Sequence, residues 1–382
     1  MIKILYLHAG AELYGADIVM LELIKGIDKS KFEPYVILPE NGPLVDKLKN
    51  ENINVSIEKY PILRRKYFNL KGIIQYGYNF FKYSKKIVNF INNEKIDIVH
   101  INTSAVLEGC YIKKKTNVKV VWHIHEILLK PRFVATIINK SIAKYADEII
   151  CVSNAVKEYF EKITKRKKNI KVIYNGVDNK KFNNNVKTDY LKTEFKINDN
   201  ELIVGMIGRI NAWKGQKDFI NAMDIVIKKR KNVKGLIVGG VYNGQEWRRE
   251  ELKKVISEKK LNEKIIMCDF RNDSPNIHNV IDIFVLPSTN PDPLPTVVLE
   301  AMATGKPIVA YKHGGVCEMV IENYNGFFAE VGNCEELANK IIEIVDNEEK
   351  RKRMGRNSEN RQKELFSLNS FIKNFEKIYL EL

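Results

Sequence analysis

Two basic side chains, Arg209 and Lys214, lie in the glycine-flanked loop GRINAWKG at residues 208–215. The loop follows the apolar run LIVGMI and precedes an amphipathic stretch, an order typical of a turn from a strand into a helix. Gly208 lets the backbone approach a ligand closely, and the N-terminal amides of a helix attract anions. A guanidinium beside an ammonium suits two linked phosphates, although a solvated loop with ordinary basic residues also fits this spacing.

A carboxylate, Glu300, lies inside NPDPLPTVVLEAMATGKP, which follows the apolar run IDIFVLPS. Pro295 suits the first turn of a helix that we expect to end near Gly305, and Thr296 shares one face of that helix with Glu300. The neighbours of Glu300 in the sequence are apolar, and a carboxylate in a largely buried helix needs a partner. The ribose hydroxyls of a nucleotide are one such partner, and exposure of Glu300 to solvent is the alternative.

Two motifs in the first half of the chain also follow apolar runs. GAELYGAD contains Gly10 and Gly15, which could bring backbone amides near a diphosphate or an acceptor, or could form a plain turn. WHIHEI contains His123 and His125 at a strand end, where a histidine serves either in a site or as a hydrogen-bonded core residue.

The elements that position these motifs alternate in type along the chain. Short runs rich in Ile and Val, such as IKILYL and IDIVHI, are separated by helix-like stretches such as ADIVMLELIKGI. The alternation restarts after a polar, asparagine-rich stretch at 178–200, which we interpret as a linker. This pattern predicts an α/β protein with two doubly wound parallel-sheet domains, whose ligands bind beyond the carboxyl ends of the strands.

Composition narrows the classes of function. The 382 residues suit two domains, and a hydrophobic content of 45% suits globular cores. Five scattered cysteines without a CxxC pair argue against a disulfide framework or a zinc site, and for a reducing cytoplasm. We expect no membrane-spanning segment and interpret the N-terminal MIKILYL as a first strand rather than a signal peptide. The net charge of +16 is compatible with a nucleic-acid partner, but a compositional bias toward Lys, Ile and Asn explains it without one.

The two loops of the second half resemble the signature of glycosyltransferase family 4, the retaining group 1 glycosyltransferases, which have the GT-B fold. Arg209 and Lys214 match the family's basic pair, and Glu300 in LEAMA matches the second glutamate of its E-x7-E motif. Asp292 stands where the family has the first glutamate, which keeps the charge and shortens the side chain by one methylene group. HGGVCEMV and NGFFAEV are similar to the segments that follow in the family, so the resemblance covers nearly the whole chain.

The resemblance implies two Rossmann-like domains that face a central cleft. The first, on the acceptor side, is expected at residues 1–185, with a C-terminal helix at about 368–382 packing back onto it. The second, at 186–367, is expected to bind the nucleotide sugar. The expected catalytic residues are Arg209, Lys214, His125 and Asp292, and the expected donor-binding residues are Glu300, Thr296, Pro295, Leu294, Gly208, Gly15 and Gly10.

The resemblance further implies a UDP- or GDP-sugar donor, a glycan, lipid-linked or small-molecule acceptor, and a role in polysaccharide or glycoconjugate biosynthesis. It implies neither a bound metal nor a cofactor, and we expect no nucleic-acid partner. A nucleotide-sugar epimerase or a phosphorylase on the same fold is the alternative enzyme, which product analysis with the donor alone separates. A basic nucleic-acid-binding protein is the alternative from another class, and it would show steep salt dependence.

The aromatic and basic stretch IIQYGYNFFKYSKKIVNFI, at residues 73–91, has two interpretations. Its helical spacing predicts that most of the residues cover the sheet. Some relatives in the resembled family dock on membranes through such a surface, so peripheral membrane association is the second interpretation.

Overall fold

A computed structural model describes residues 1–64, 67 and 69–382 of the chain. These residues form two compact units, Met1–Gly176 with Leu368–Leu382, and Val177–Ser367. Within the described ranges, no helix combines the length and the apolar character that crossing a membrane requires.

The first unit is built on a parallel sheet, whose inner strands are rich in buried Ile and Val because helices cover both faces. The described strands are β1 (Ile2–Leu7), β2 (Phe32–Leu38), β3 (Asn54–Ile57), β4 (Ile98–Ile101), β5 (Lys119–Ile124), β6 (Glu148–Cys151) and β7 (Ile170–Val172). They lie in the order β3-β2-β1-β4-β5-β6-β7, with Leu5 of β1 in register with Tyr35 of β2 and Val99 of β4. The sequence did not suggest β3, since this edge strand is mostly exposed and has no continuous apolar run.

The helices of the first unit include one from the C-terminal end of the chain. They are α1 (Gly15–Gly26), α2 (Pro43–Asn50), α3 (Leu70–Glu94), α4 (Glu108–Lys115), α5 (Arg132–Tyr145), α6 (Asn154–Thr164) and α15 (Leu368–Glu381). Helix α15 is amphipathic, and its buried Phe375 and Tyr379 pack in the core of the first unit. The hydroxyl of Tyr379 lies 2.7 Å from Nδ1 of His100 on β4.

The second unit is also built on a parallel sheet with helices between its strands. Its strands are β8 (Leu202–Ile207), β9 (Val233–Val238), β10 (Ile265–Cys268), β11 (Ile283–Leu286), β12 (Ile308–Tyr311) and β13 (Gly326–Ala329), in the order β10-β9-β8-β11-β12-β13. Its helices are α7 (Asp189–Glu194), α8 (Gln216–Lys229), α9 (Trp247–Glu258), α10 (Ser274–Val280), α11 (Thr296–Ala303), α12 (Val316–Met319), α13 (Cys334–Val345) and α14 (Glu348–Leu365). The strand order reverses between β8 and β11, the position at which doubly wound sheets bind ligands.

The asparagine-rich stretch at 178–200 is part of the second unit, so its interpretation as a linker was wrong. Phe182 is buried with its ring centroid 5.8 Å from that of His278, and Leu191 of α7 is fully buried. Phe195 is buried as well, and these few scattered apolar residues anchor the polar stretch, a signal too weak for composition to reveal.

Helix α3 has two different halves. In its C-terminal half Ile87, Val88 and Ile91 are buried, as the helical spacing predicted. Its N-terminal half instead exposes an apolar face: Leu70, Ile73, Ile74, Tyr78 and Phe81 are each more than 60% exposed. The expectation that most of this stretch covers the sheet therefore fails for the first half of the helix.

Glu108, at the start of α4, is fully buried. Burial raises its pKa to about 8, an effect that nearby backbone amides only partly offset. The folded state therefore binds more protons than the unfolded state between the ordinary glutamate pKa of 4.5 and about 8, so the free energy of unfolding falls as pH rises through this window.

We expect the variant Glu108→Gln to lack this fall in stability, because glutamine does not titrate. Its stability relative to the wild type should therefore be higher at pH 9 than at pH 5. Denaturant melts at both pH values measure the difference, and equal pH slopes for the two proteins would contradict the assignment.

Candidate active site

The basic loop at 208–215 turns from β8 into α8 at a position that only glycine can occupy. Gly215 precedes α8 with a φ of +78°, and a Cβ there would lie 1.8 Å from the carbonyl oxygen of Pro287. Arg209 lies over the ring of Tyr242, with its guanidinium carbon 3.9 Å from the ring centroid. Stacking restricts the plane of the guanidinium, so the loop presents an oriented cation at the carboxyl end of β8.

An ion pair joins the basic loop to the proline-rich loop after β11. Nζ of Lys214 lies 2.9 Å from both carboxylate oxygens of Asp292, whose Oδ2 also accepts a 2.8 Å hydrogen bond from Ser288 Oγ. Asp292 is 5% exposed and Lys214 is partly exposed. Because β8 and β11 are neighbours in the sheet, the two loops meet, and two of the expected catalytic residues are in direct contact.

The HGGVCEMV segment supports the proline-rich loop from the other side. The backbone N–H of Gly315 donates a 2.8 Å hydrogen bond to the carbonyl oxygen of Asp292. A Cβ on Gly315 would lie 1.9 Å from the carbonyl oxygen of Pro293, so a larger residue would displace the loop. The glycine pair of this motif therefore fixes the position of Asp292.

Glu300, on α11, has partners that the sequence did not reveal. Its Oε2 accepts hydrogen bonds from Nε2 of His278, at 2.9 Å, and from Ser274 Oγ, at 3.3 Å. His278 is itself buried, and its ring stacks on Phe284 with centroids 5.6 Å apart. Among the described residues, Oε1 of Glu300 makes no side-chain hydrogen bond. The carboxylate is therefore held by one oxygen and has the other available for a ligand.

The remaining expected donor-binding residues of the second unit lie in the same loops, next in sequence to Arg209, Asp292 and α11. Leu294 and Pro295 are buried, whereas Thr296 and Gly208 are partly exposed. Pro295 lies one residue before the helix rather than in its first turn, since α11 begins at Thr296.

In the first unit, the glycine-rich motif leads into a buried contact between a histidine and a carboxylate. Gly10 follows β1 with open space beside it, and Gly15 is exposed at the start of α1. The buried Asp17 accepts a hydrogen bond from the Tyr14 N–H at 2.8 Å and contacts Nε2 of the buried His8.

The two histidines of WHIHEI lie at the end of β5 in different surroundings. His123 is fully buried beside Phe375 of α15, and His125 is partly exposed. Both contact Oδ1 of Asn102, His123 through Nδ1 at 3.1 Å and His125 through Nε2 at 3.0 Å. Although part of the His125 side chain reaches solvent, the protein groups around its ring desolvate it. This desolvation, reinforced by the nearby His8 and His100, lowers the pKa of His125 to about 3, so the ring is neutral at physiological pH.

Five polar side chains that make hydrogen bonds at the carboxyl ends of the strands or to Glu300 were not predicted from the sequence: His8, Asp17, Asn102, Ser274 and His278. His8 and Asn102 directly follow the apolar runs IKILYL and IDIVHI, so the rule that sites lie at carboxyl ends of strands could have identified them. Within the described residues, no cluster of three or more His, Cys, Asp or Glu side chains is arranged to hold a metal ion. A metal-independent reaction stays a prediction.

Two Rossmann-like units, each with its strand order reversing beside its first strand, define the GT-B class of protein. Residues 187–361 match the family model for glycosyl transferases group 1, and residues 14–181 match the model for glycosyltransferase family 4. The chain therefore belongs to glycosyltransferase family 4 and is a glycosyltransferase, as its motifs predicted.

Similar proteins agree with this membership. The uncharacterized glycosyltransferase MJ1069 of Methanocaldococcus jannaschii is 32% identical over 248 residues, which cover 64% of this chain and 61% of that relative. An Escherichia coli UDP-Gal:alpha-D-GlcNAc-diphosphoundecaprenol alpha-1,3-galactosyltransferase is 26% identical over 90% of this chain and 88% of its own length. The crystal structure of Anabaena Alr3699/HepE in complex with UDP and glucose superimposes with a TM-score of 0.85, at 25% identity and full coverage of both chains.

Proposed function

We propose that this glycosyltransferase moves a sugar from a UDP-sugar to a lipid-linked saccharide, with retention of the anomeric configuration. The observation that carries the proposal is the contact between Lys214 and Asp292 beside the stacked Arg209, at the point where the strand order of the second unit reverses. The choice of UDP and of a lipid-linked acceptor is supported by the E. coli relative and, for UDP, by the Anabaena structure.

The second unit holds the nucleotide in this proposal. Arg209 and Lys214 bind the diphosphate and stabilise the negative charge that develops on it as the glycosidic bond breaks. Glu300 accepts hydrogen bonds from the ribose hydroxyls through Oε1, and Leu294, Pro295, Thr296 and Gly208 complete the donor site. Gly10 and Gly15 bring backbone amides of the first unit to the diphosphate or the acceptor, and His125 contacts a bound sugar.

Retention fits a front-face reaction. The acceptor hydroxyl attacks the anomeric carbon as the bond to the phosphate oxygen breaks, and its proton passes to that leaving oxygen. Both carboxylate oxygens of Asp292 contact Lys214, an arrangement that favours a role in holding Lys214 and the sugar over one as a nucleophile.

Donor choice is tested by thermal unfolding with nucleotides. A ligand at one hundred times its Kd adds about 2.7 kcal/mol to the stability of the folded state, so we expect UDP to raise the Tm by several degrees. We expect GDP to do so less. Stabilisation by GDP and not by UDP would overturn the choice of donor, and an inverted anomer in the product, read by NMR, would overturn retention.

Peripheral membrane association is the second part of the proposal, and it rests on the N-terminal half of α3. The exposed Leu70, Ile73, Ile74, Tyr78 and Phe81 form one apolar helix face, because their spacing follows the helical repeat. Exposed lysines lie next to this face, namely Lys71, Lys82 and Lys85. An apolar face with lysines next to it suits an anionic lipid surface, where each cation contributes about 1 kcal/mol.

Vesicle sedimentation tests this surface. We expect the wild type to sediment with phosphatidylglycerol vesicles and the double variant Ile73→Glu/Phe81→Glu to stay in the supernatant. The change in Tm should be small because both side chains are more than 60% exposed. Leu380→Glu, which replaces an exposed apolar residue of α15, is the matched control and should bind like the wild type. If the wild-type protein does not sediment with anionic vesicles, this part of the proposal is wrong.

A further inference from the structure

Helix α5 has an exposed apolar side near its N-terminus. Phe133 and Ile137 are 68% and 60% exposed and lie four residues apart, so they share one side of the helix. Leu129, just before the helix, is exposed as well. At intervals of three and four residues the same side of α5 continues in the exposed Lys140 and Lys144. Apolar residues are therefore followed by basic ones along a single side of the helix.

The exposed side of α3 has the same order of residue types. Its first half exposes Ile74, Tyr78 and Phe81, and the exposed Lys82 and Lys85 follow. Each of the two helices starts at the carboxyl edge of the sheet and returns to the start of the next parallel strand. The apolar parts of both helices therefore lie toward the carboxyl edge, and the basic parts lie toward the opposite edge.

The topology places α3, α4 and α5 on one face of the first sheet. The sheet grows from β1 to β3 in one direction and from β4 to β7 in the other, so right-handed crossovers put α1 and α2 on one face and α3 to α6 on the other. The packing agrees, because α4 contacts both α3 and α5, whereas α1 contacts α2 and α15. Between α3 and α4, the ring centroids of Phe81 and Tyr111 lie 6.1 Å apart. The two exposed apolar sides therefore belong to one surface and flank α4.

The two faces of this sheet differ in charge. Helices α3, α4 and α5 contain four, three and three Lys or Arg residues against one, one and no acidic residues, and the acidic residue of α4, Glu108, is buried. Two of these lysines, Lys86 and Lys113, form ion pairs with carboxylates outside the three helices. On the opposite face α1, α2 and α15 contain one, two and two basic residues against two, one and two acidic ones. The basic excess therefore coincides with the exposed apolar residues.

This combination of side chains discriminates between two polyanionic partners. A nucleic acid contacts basic side chains through its phosphates and stacks its bases on aromatic rings, but it would leave the aliphatic Ile74 and Ile137 in water. An anionic bilayer contacts lysines through its head groups and receives aliphatic and aromatic side chains at the boundary of its acyl chains. The exposed residues of both helices therefore favour the bilayer.

We propose that α3, α4 and α5 form one membrane-binding surface, in which Phe133 and Ile137 of α5 enter an anionic bilayer together with the first half of α3. The inference rests on the proposed membrane association through α3 and extends it to a second helix. Two separate apolar contacts fix the orientation of the first unit on the bilayer, whereas a single helix face leaves the unit free to rotate about it. The face that carries α1, α2 and α15 then points toward water.

Ile137→Glu and Leu380→Glu are a matched pair of variants for vesicle sedimentation. Both side chains are 60% exposed, both changes add one negative charge, and Leu380 lies on α15, on the opposite face of the sheet. We expect Ile137→Glu to bind phosphatidylglycerol vesicles about tenfold more weakly than the wild type, because an apolar side chain no longer leaves water on binding. Leu380→Glu should bind like the wild type. Binding by Ile137→Glu equal to that of the wild type would overturn the proposal.

Phe133→Trp measures the depth of α5 in the bilayer. Bromine atoms on the acyl chains of phosphatidylglycerol quench the fluorescence of tryptophan rings that reach the acyl chains. The chain's own tryptophans, Trp122, Trp213 and Trp247, lie outside α3, α4 and α5, so the wild type supplies the background signal. We expect brominated vesicles to quench the variant more than the wild type. Equal quenching of the two proteins, while both sediment with the vesicles, would show that α5 stays outside the bilayer.

The same assays separate the inference from the proposed function on which it rests. If the wild type does not sediment with phosphatidylglycerol vesicles, membrane association as a whole is wrong, and retention of an RNA oligonucleotide by that protein would assign the basic helices to nucleic acid. If Ile73→Glu/Phe81→Glu loses binding and Ile137→Glu keeps it, association through α3 stands and the role of α5 is refuted.

Discussion

Lys214→Ala is expected to lower kcat by about 10²–10³-fold, because removing one group that stabilises charge in the transition state has an effect of this size. The variant also leaves the carboxylate of Asp292 buried without its cation. Removing one partner of a buried pair costs about 3–5 kcal/mol, so we expect a lower Tm as well. Steady-state kinetics with a UDP-sugar and thermal unfolding measure the two effects separately.

Lys234→Ala distinguishes catalysis from stability. Lys234, on β9, forms a comparably buried ion pair with Glu201 at 2.9 Å, outside the proposed site, and Glu201 also contacts Lys264 at 3.2 Å. We expect this control to lose stability and to keep kcat at temperatures where it is folded. Equal losses of kcat in both variants, or normal turnover by Lys214→Ala, would contradict the assignment of Lys214 to the diphosphate.

Glu300→Gln is expected to raise the KM for the donor by about 10–100-fold with a small change in Tm. An amide oxygen in place of Oε2 can still accept from His278 and Ser274, so the local fold is preserved. The variant weakens the hydrogen bonds between the ribose hydroxyls and the charged carboxylate of Glu300, and hydrogen bonds to a charged group contribute about 1.5–3 kcal/mol each. Isothermal titration with UDP measures the effect without an acceptor.

Ser274→Ala is the control for Glu300→Gln, since it removes the weaker of the two contacts of Oε2 and leaves the carboxylate charged. We expect its affinity for UDP to stay within a few-fold of the wild type. If Glu300→Gln binds UDP normally, Glu300 does not contact the ribose and its role is to hold α10 against α11.

Much of the fold was accessible from the sequence because parallel strands covered on both faces are continuous apolar runs, as in IDIVHI and IDIFVL. The predictions of two doubly wound domains, of the GT-B fold and of family 4 membership are confirmed. The sequence was misleading where few apolar residues decide the structure. Phe182 and Leu191 are buried in a stretch whose polar composition predicted a linker. The apolar first half of α3 is exposed, although the spacing of its residues predicted a buried helix.

For the candidate site, local sequence identified residues that carry charge, and the assignment of their roles stays a proposal. Arg209, Lys214 and Glu300 each stand in a short motif after an apolar run, so spacing alone singled them out. The sequence also indicated that Glu300 needs a partner, but it did not identify His278.

What the sequence by itself determined is the alternation of most strands and helices and the loops in which the chemistry must lie, because backbone pattern and turn residues are local properties. Only the tertiary structure decided which side chains meet. The contact of Lys214 with Asp292, separated by 78 residues, and that of Asn102 with His8, separated by 94, exist because the sheets place distant strand ends side by side. The low pKa of His125 is decided at the same level, because the groups that surround its ring, His8 and His100 among them, come from remote parts of the chain.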